Sequence, residues 1–311
     1  MINIRNLNDI PQNIDATLVT IGSYDGIHQG HQQIIEALVQ QARQQQLASV
    51  VISFDPYPKE FFQGQRVPRL MSWREKYLAL KELGIDYFLT IKFDHDFSQM
   101  SAEDFVINVL VKKLNVKKII IGDDFRFGYK RKGDYHLLTQ MGTALSFRVE
   151  RAPTYEYLNE RISSSRVRYT LQAGNMEVTK DLLGHYYYVW GKVIHGDKLG
   201  RKLGFPTANI DLQRRLVPLH GIYVVHVSGI DNTLYFGVAN IGNRPAVQGT
   251  RVLLEVYIFN FERDIYGHTI KVEFLHKLRD EQNYDSLELL KQAIAEDVKM
   301  AKNFLQKIKN D

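Results

Sequence analysis

The sequence predicts two domains of different class. A doubly wound parallel α/β sheet comes first, then a mostly β domain, an antiparallel barrel or sandwich with a terminal helix. Three observations predict this. Apolar β-type runs alternate with helical patterns through the first half, the hydrophobic period changes to two near Leu183 to His185, and the last stretch returns to helical spacing. At 311 residues the chain exceeds one ordinary core and suits two. The domains are expected over 1–184 and 185–311.

The elements follow in order. LVTIG (18–22) reads as a strand, HQQIIEALVQQARQQQ as a helix and ASVVISF (48–54) as a second strand. REKYLALKELG has helical spacing and stops at Gly84, and DYFLTIKF is a strand. SAEDFVINVLVKKL predicts a helix opened by Ser101, with Asp104 three residues on in the manner of a capping box. KKIIIG (117–122) is a buried strand, and SSSRVRYTLQAGNMEVTKDLLG reads as helix. Beyond it, YYYVWGKVIHG, GIYVVHVSGI, TLYFGVANIG, RVLLEVYIFNF and HTIKVEFLHKL alternate with period two between Gly, Asn and Asp turns. SLELLKQAIAEDVKMAKNFLQKI is the terminal amphipathic helix. Ligands of doubly wound sheets bind at the carboxyl ends of the strands, where GSYDG, FDPYP and GDDFRFG lie.

Composition narrows the function classes. With 44% hydrophobic and 24% charged residues, the chain reads as a globular protein. No run approaches a membrane span and MINIRNLNDI lacks a signal peptide's apolar stretch, so no membrane partner is expected. Cysteine is absent, which excludes disulfides, thiolate nucleophiles and cysteine-held metals and fits a cytoplasmic location. A net charge of +5 suits anionic ligands, although many ordinary enzymes are as basic.

TIGSYDGIHQGH ends a strand, turns on glycine and delivers His28 and His31 to the first turn of a helix. A helix N-terminus offers unpaired N–H groups and the positive end of its dipole, and Gly30 leaves room for a phosphate. The two imidazoles are candidates to stabilise charge on an α-phosphate during in-line displacement. Two histidines without a third ligand do not make a zinc site. RISSSRVR (161–168) supplies hydroxyls and arginines at the start of another helix, suited to phosphates.

Together these motifs resemble the nucleotidylyltransferase superfamily. GSYDGIHQGH, FDPYPKEFF, IIIGDDFRFGYKRKGD and RISSSRVR, in that order, resemble the adenylyltransferase module of bacterial bifunctional riboflavin kinase/FAD synthetases. GKVIHGDKLGRKLGFPTANI, GIYVVHV, GVANIGNRP, LLEVYIFNF and IYGHTIKVEFLHKLRDEQNYDSLE resemble that family's kinase module, so the likeness spans essentially the whole chain. The resemblance implies a Rossmann-like nucleotidylyltransferase domain and an antiparallel β-barrel riboflavin kinase domain. It implies that riboflavin and ATP give FMN, and FMN and ATP give FAD and pyrophosphate, with Mg²⁺ in both steps and no nucleic-acid partner.

The site residues are carried over motif by motif. In the first half, His28 and His31 would be catalytic, and Gly22, Asp25, Gly30, Ser164, Ser165 and Arg168 would bind ATP. Phe54, Pro56 and Pro58 would line an apolar slot for the isoalloxazine, and Asp124, Phe125 and Arg126 would give it polar edges and a stacking ring. YKRKGD reads as a solvated loop. In the second half, Gly196, Lys202, Gly204, Asn209 and Arg279 would bind nucleotide or flavin, and Thr207 and Asn209 would hold Mg²⁺. No Walker A spacing is present.

Period two places Glu255 with Leu253 and Tyr257 on the inner or site-facing side of its strand. The alternatives for such a carboxylate are a structural ion pair or the base that deprotonates the ribityl hydroxyl, and the resemblance implies the base. Tyr24 stands where the family usually has Phe, and Ala246 where it generally has Thr. Two other readings are an adenylyltransferase for pantetheine phosphate or nicotinate mononucleotide, which leaves the second half unexplained, and an RNA-binding protein, for which no aromatic RNA-binding signature exists.

Overall fold

In the computed structural model the described residues are 1–310 without 12, 13, 15, 65, 66, 123, 197, 198, 213–215, 247 and 248; for 243–246, 249–251, 309 and 310 only the backbone is described. The chain divides into two compact units, Met1–Val67 with Trp73–Ser163 and Pro68–Ser72 with Ser164–Asp311.

The first unit runs β1 (Ile2–Ile4), β2 (Thr17–Ile21), α1 (Gln29–Gln44), β3 (Ala48–Asp55), α2 (Pro58–Gln63), α3 (Trp73–Glu82), β4 (Tyr87–Lys92), α4 (His95–Ser98), α5 (Ala102–Asp104), β5 (Val116–Ile121), α6 (Tyr135–Leu145), β6 (Arg148–Arg151) and the pair β7 (Glu156–Tyr157) and β8 (Glu160–Arg161). The sheet order is β1-β4-β3-β2-β5-β6 and every pairing in it is parallel. All five residues of β2 are buried, as a central strand covered on both faces requires. From β2 the chain proceeds outward to β3 and β4, then returns to place β5 on the other side of β2. The carboxyl ends of β2 and β5 therefore bound the topological switch point, where ligands of such sheets bind.

β1 and β6 were not expected, because three and four residues carry too little periodicity to read. The predicted helix after Ser101 begins as expected, with Ser101 Oγ accepting from the Asp104 N–H at 2.9 Å. It then continues as a π-helix over Phe105–Val111, with Lys112 N–H donating to Ile107 O and Leu114 N–H to Val109 O. The wider turn still buries Phe105, Val106, Val109 and Leu110.

The second unit contains α7 (Ser164–Gln172), α8 (Met176–Leu183), β9 (Tyr188–Ile194), α9 (Leu199–Leu203), β10 (Thr207–Asp211), β11 (Gly221–Ser228), β12 (Tyr235–Ala246), β13 (Gly249–Ile258), β14 (Thr269–Arg279) and α10 (Leu287–Asn310). Its strands close a barrel in the order β10-β13-β12-β11-β14-β9, all antiparallel, which decides between barrel and sandwich. The single helical pattern expected over 163–184 is two helices. Gly174 (φ +73°) ends the first, and Asn175 caps the second by accepting from the Val178 N–H at 3.2 Å. On β11 the alternation is masked, since Ile222 and Val224 pack with Ala301, Val298 and Phe304 of α10 while Tyr223, Val225 and Val227 are buried on the opposite face.

Candidate functional site

In the first unit the chain leaves β2 through Gly22–Ile27, where Tyr24, Gly26 and Ile27 all have positive φ (46°, 87° and 37°). That reversal delivers His28 as the N-cap of α1, its Nδ1 accepting from the His31 N–H at 3.3 Å. A nitrogen that accepts carries no proton, so the neutral His28 ring bears its hydrogen on Nε2, the donor side of the ring. The two imidazoles stack, with centroids 3.7 Å apart and planes 16° apart. Burial first, then the electrostatic influence of neighbouring His28, Lys76 and Arg161, pushes His31 well below the usual histidine range. Its Nδ1 is buried without a hydrogen-bond partner among the described residues.

The supports of this pair are buried polar groups. Thr20 Oγ1 donates to Ile120 O at 2.7 Å, so the 2.5 Å contact with Tyr24 has the phenol donating to Thr20. Burial pushes the Tyr24 phenol above its ordinary range, and its ring packs on His31 at 4.8 Å. A Cβ on Gly22 would meet that ring at 3.1 Å. One on Gly30 would lie 3.4 Å from His28 Nδ1, so Gly30 also makes room for the imidazole. Asp25, within the loop, is fully buried. Lys76, which sequence reasoning missed, is buried and donates to Ser23 O, to Tyr57 Oη at 3.1 Å and to Ser53 Oγ at 3.4 Å. It ties the loop after β2 to the loop after β3. The signal was a lysine on the apolar stripe of α3, between Trp73 and Leu80.

Beside these loops lies a cavity of about 580 Å³ whose walls are Phe54, Phe62, Phe93, Phe97, Phe125 and Phe127. Phe54, Pro58, Phe125 and Arg126 of the expected flavin slot all line it. Pro56 and Asp124 do not: Pro56 follows a cis peptide bond in the turn before α2, and exposed Asp124 pairs with Arg161 at 3.3 Å. Of the YKRKGD stretch, 129–132 are exposed as expected, whereas Gly133 is buried and half-buried Asp134 caps α6 by accepting from the Leu137 N–H at 3.0 Å. The backbone of the stretch is turned by a bridge between Phe127 and Gly133, and Tyr129, Lys130 and Arg131 join the cavity wall. Arg126 is held by Asp134 at 2.7 Å.

Ser164, Ser165 and Arg168 start α7 and belong to the second unit. Arg168 Nε donates to Pro68 O at 2.7 Å.

In the barrel, Val252, Leu254, Val256 and Ile258 are buried in the interior, and Glu255 shares the other, half-buried face with Leu253 and Tyr257. Of the two positions period two allowed, the inner one is thereby excluded. Register sets Glu255 directly across from Asn209 on β10 and from Asn240 on β12. Paired residues of neighbouring strands share a face with Cβ atoms about 5 Å apart. Thr207, two residues before Asn209, lies on this face opposite Tyr257. Gly196 approaches Asn209 so closely that a Cβ would collide with its amide.

A cavity of about 450 Å³ is lined by Thr207, Arg201, Val193, Val256 and Tyr266, among others. Lys202 is exposed on α9 and does not line it, whereas its neighbour Arg201 does. Gly204 ends α9 with φ +89°. Arg279 makes a two-pronged bond to buried Asp297, Nε to Oδ1 at 2.8 Å and Nη2 to Oδ2 at 2.6 Å, and so fastens β14 to α10. The side chain of Ala246, and Asp197 and Lys198 of the GDKLG run, lie outside the described residues.

Comparison with known proteins matches residues 10–166 to the FAD synthetase family model and residues 183–305 to the riboflavin kinase model. The bifunctional riboflavin kinase/FMN adenylyltransferase of Escherichia coli K12 is 42% identical over 97% of this chain and 96% of its own length. That of Haemophilus influenzae is 40% identical over 97% and 98%. A solved Streptococcus pneumoniae structure described as a macrolide-efflux protein superposes with a TM-score of 0.83 at 31% identity, over 97% of this chain and 98% of its own. Among the described residues no helix is long and apolar enough to cross a membrane.

Proposed function

The chain belongs to the bifunctional riboflavin kinase/FMN adenylyltransferase family, and from that premise we propose which residues of each half carry the two reactions. The enzyme phosphorylates riboflavin to FMN and transfers AMP from ATP to FMN, giving FAD and pyrophosphate. The observation that carries the assignment in the first half is the stacked His28–His31 pair, seated on the start of α1 at the switch point of the sheet.

In adenylyl transfer an FMN phosphate oxygen attacks the α-phosphorus of ATP in line and pyrophosphate leaves. His28, with its proton on Nε2, donates to the charge that grows on the α-phosphoryl oxygens, and the free N–H groups of α1 add their dipole. His31 stays neutral and holds its partner's ring by stacking. Gly22, Asp25 and Gly30 shape the ATP loop. The roles of Ser164, Ser165 and Arg168 toward ATP rest on the family motif alone. The phenylalanine-lined cavity suits the flat isoalloxazine, with Phe54, Pro58 and Phe125 on its faces and Arg126 at its edge.

In the kinase half Glu255 takes the proton of the ribityl 5′-hydroxyl as that oxygen attacks the γ-phosphorus of ATP. Gly196, Lys202 and Gly204 belong to the run that receives ATP, and Arg201 joins them. Arg279 holds the end of β14 to α10, and its role toward nucleotide or flavin rests on the family motif. Mg²⁺ fits the donors present: a threonine hydroxyl and an asparagine amide, Thr207 and Asn209, are hard oxygen ligands that leave room for phosphate oxygens. When bound, the ion neutralises phosphate charge. Among the described residues no three His, Asp or Glu side chains are placed to hold a metal, so such a site relies on these oxygens and the substrate. A cysteine-free chain fits the reducing cytoplasm.

The test is a time course with riboflavin, ATP and Mg²⁺, separated by chromatography. FMN should rise first and FAD follow; absence of either product overturns the corresponding half of the reading. We place the boundary of the two modules between Gly184 and His185. A 185–311 fragment should make FMN and never FAD, and if it folds without kinase activity while 164–311 is active, the boundary belongs before α7.

A further inference from the structure

The row across the barrel holds one residue that the reading above leaves without a task. Asn240 stands beside Glu255 in register, on the opposite side from Asn209. Its side-chain Oδ1 is buried and has no hydrogen-bond partner among the described residues. A buried acceptor left unpaired costs stability, and a native fold keeps one where something absent completes it. Its surroundings say what that partner is. Asn240 lies at a seam: on one side its cross-strand neighbour Ile222 is covered by α10, and on the other Glu255 is half-buried. Two residues along, the missing side chain of Gly242 leaves space that the Glu281 carboxylate fills, so this face of β12 has one acidic group across the ladder at Glu255 and another at Gly242. A carbonyl oxygen on such a face repels anions and offers nothing to a flat apolar ring. It suits a neutral hydroxyl donor.

We propose that Asn240 is a specificity-determining residue of the kinase half, its side-chain carbonyl accepting a hydrogen bond from a hydroxyl of the substrate's polyol tail. Resting on the assignment of Glu255 above, this sets the tail in register with the row, so that the terminal hydroxyl arrives at Glu255. The carboxamide thereby selects a polyhydroxyl chain over an alkyl one of the same length.

Asn240→Leu keeps the volume and removes the acceptor. It should lower kcat/KM for riboflavin about 10- to 100-fold, the range of one lost buried hydrogen bond. Its Tm should hold or rise, since an unpaired buried acceptor is gone from the free enzyme. FAD formation from supplied FMN is the internal control. Riboflavin analogues lacking one internal ribityl hydroxyl but keeping the terminal one supply the second arm. The unaltered enzyme should discriminate against at least one of them by a similar factor, and Asn240→Leu should no longer do so. If Asn240→Leu, or Asn240→Ala beside it, keeps full kcat/KM, or if the variants retain the discrimination, the inference is wrong. A fall in Tm or a failure to fold assigns the amide to the packing under α10 and equally overturns it. Loss of kinase activity in the unaltered enzyme would instead overturn the prior assignment.

Discussion

The two halves place their reactive side chains by different means. In the first unit the candidate groups gather at the carboxyl ends of parallel strands and on the loops and helix starts that follow, and the loop after β2 is forced through three residues with positive φ to bring His28 round to α1. Such a site depends on internal tethers: Lys76 gripping Ser23, Ser53 and Tyr57, and Tyr24 donating to Thr20. In the second unit Asn209, Glu255 and Asn240 stand on the strands themselves, and the ladder alone aligns them. A loop site is only as good as its buried polar struts. A strand site is as good as its register.

Substitutions sharpen that contrast. The largest effect is expected at Glu255→Gln, which keeps volume but cannot take a proton, and should slow the kinase about 10²- to 10⁴-fold with riboflavin affinity within a few-fold. Steady-state kinetics and a melting curve on one preparation separate this from an ion-pair role, in which Tm falls and the rate survives. His28→Ala should cost adenylyl transfer roughly 2 to 4 kcal/mol, the scale of one lost donor to a transition-state oxyanion, while FMN formation continues. Near-normal FAD synthesis would falsify the part given to the histidine pair.

Lys76→Met tests the struts. It removes the buried ammonium that donates to Ser23 O, Ser53 Oγ and Tyr57 Oη, leaving Ser23 O the weaker bond from Ser53 Oγ at 3.2 Å, and should destabilise the first unit by about 2 to 4 kcal/mol. Heat should then abolish FAD formation at a lower temperature than before, with the kinase unchanged. Equal inactivation temperatures for the variant and the parent would mean that the loop stands without its tether.

The smallest effect concerns the barrel wall. Glu273, on β14, is drawn down to a pKa of about 2, chiefly by the His226 imidazole, whose Nδ1 lies 3.8 Å from its carboxylate, and, against the cost of burial, by Lys271 at 2.7 Å. A carboxylate with a depressed folded value adds stability above its unfolded value of 4.5, and that stability is lost as pH falls toward about 2. Glu273→Gln should therefore lower barrel stability by up to about 2 kcal/mol at pH 7. The gap in Tm should narrow below about pH 4. A gap that stays constant with pH would remove the ion pair from the account.

How far the sequence could be read follows from the same contrast. The histidine loop was legible because its residues are contiguous, and its strand and helix have unmistakable periods. The Glu255 face was legible from period two, but its neighbours were not, since register across β10, β13 and β12 is a property of pairing that no single strand displays. Four of the six expected flavin residues line the aromatic cavity. Phe93, Phe97 and Phe127 were missed because aromatic residues near strand ends read equally as core. Lys76 was missed for a similar reason: a lysine in a helix is read as solvated until tertiary packing buries it. Arg279 shows the reverse case, a motif arginine that the fold also uses, its Nε and Nη2 donating to Asp297 and its Nη1 to Asp280 O.

The closed barrel has no free strand edge, whereas the parallel sheet ends on β1 and β6. An open edge invites pairing with another chain, and short or charged edge strands discourage it. Both devices are present. β1 is only three residues long, and β6 reads Arg-Val-Glu-Arg with both arginines exposed. Crowding or overexpression would thus challenge the two halves unequally: self-association through backbone pairing is open only to the first, and the arginines of β6 guard its longer flank.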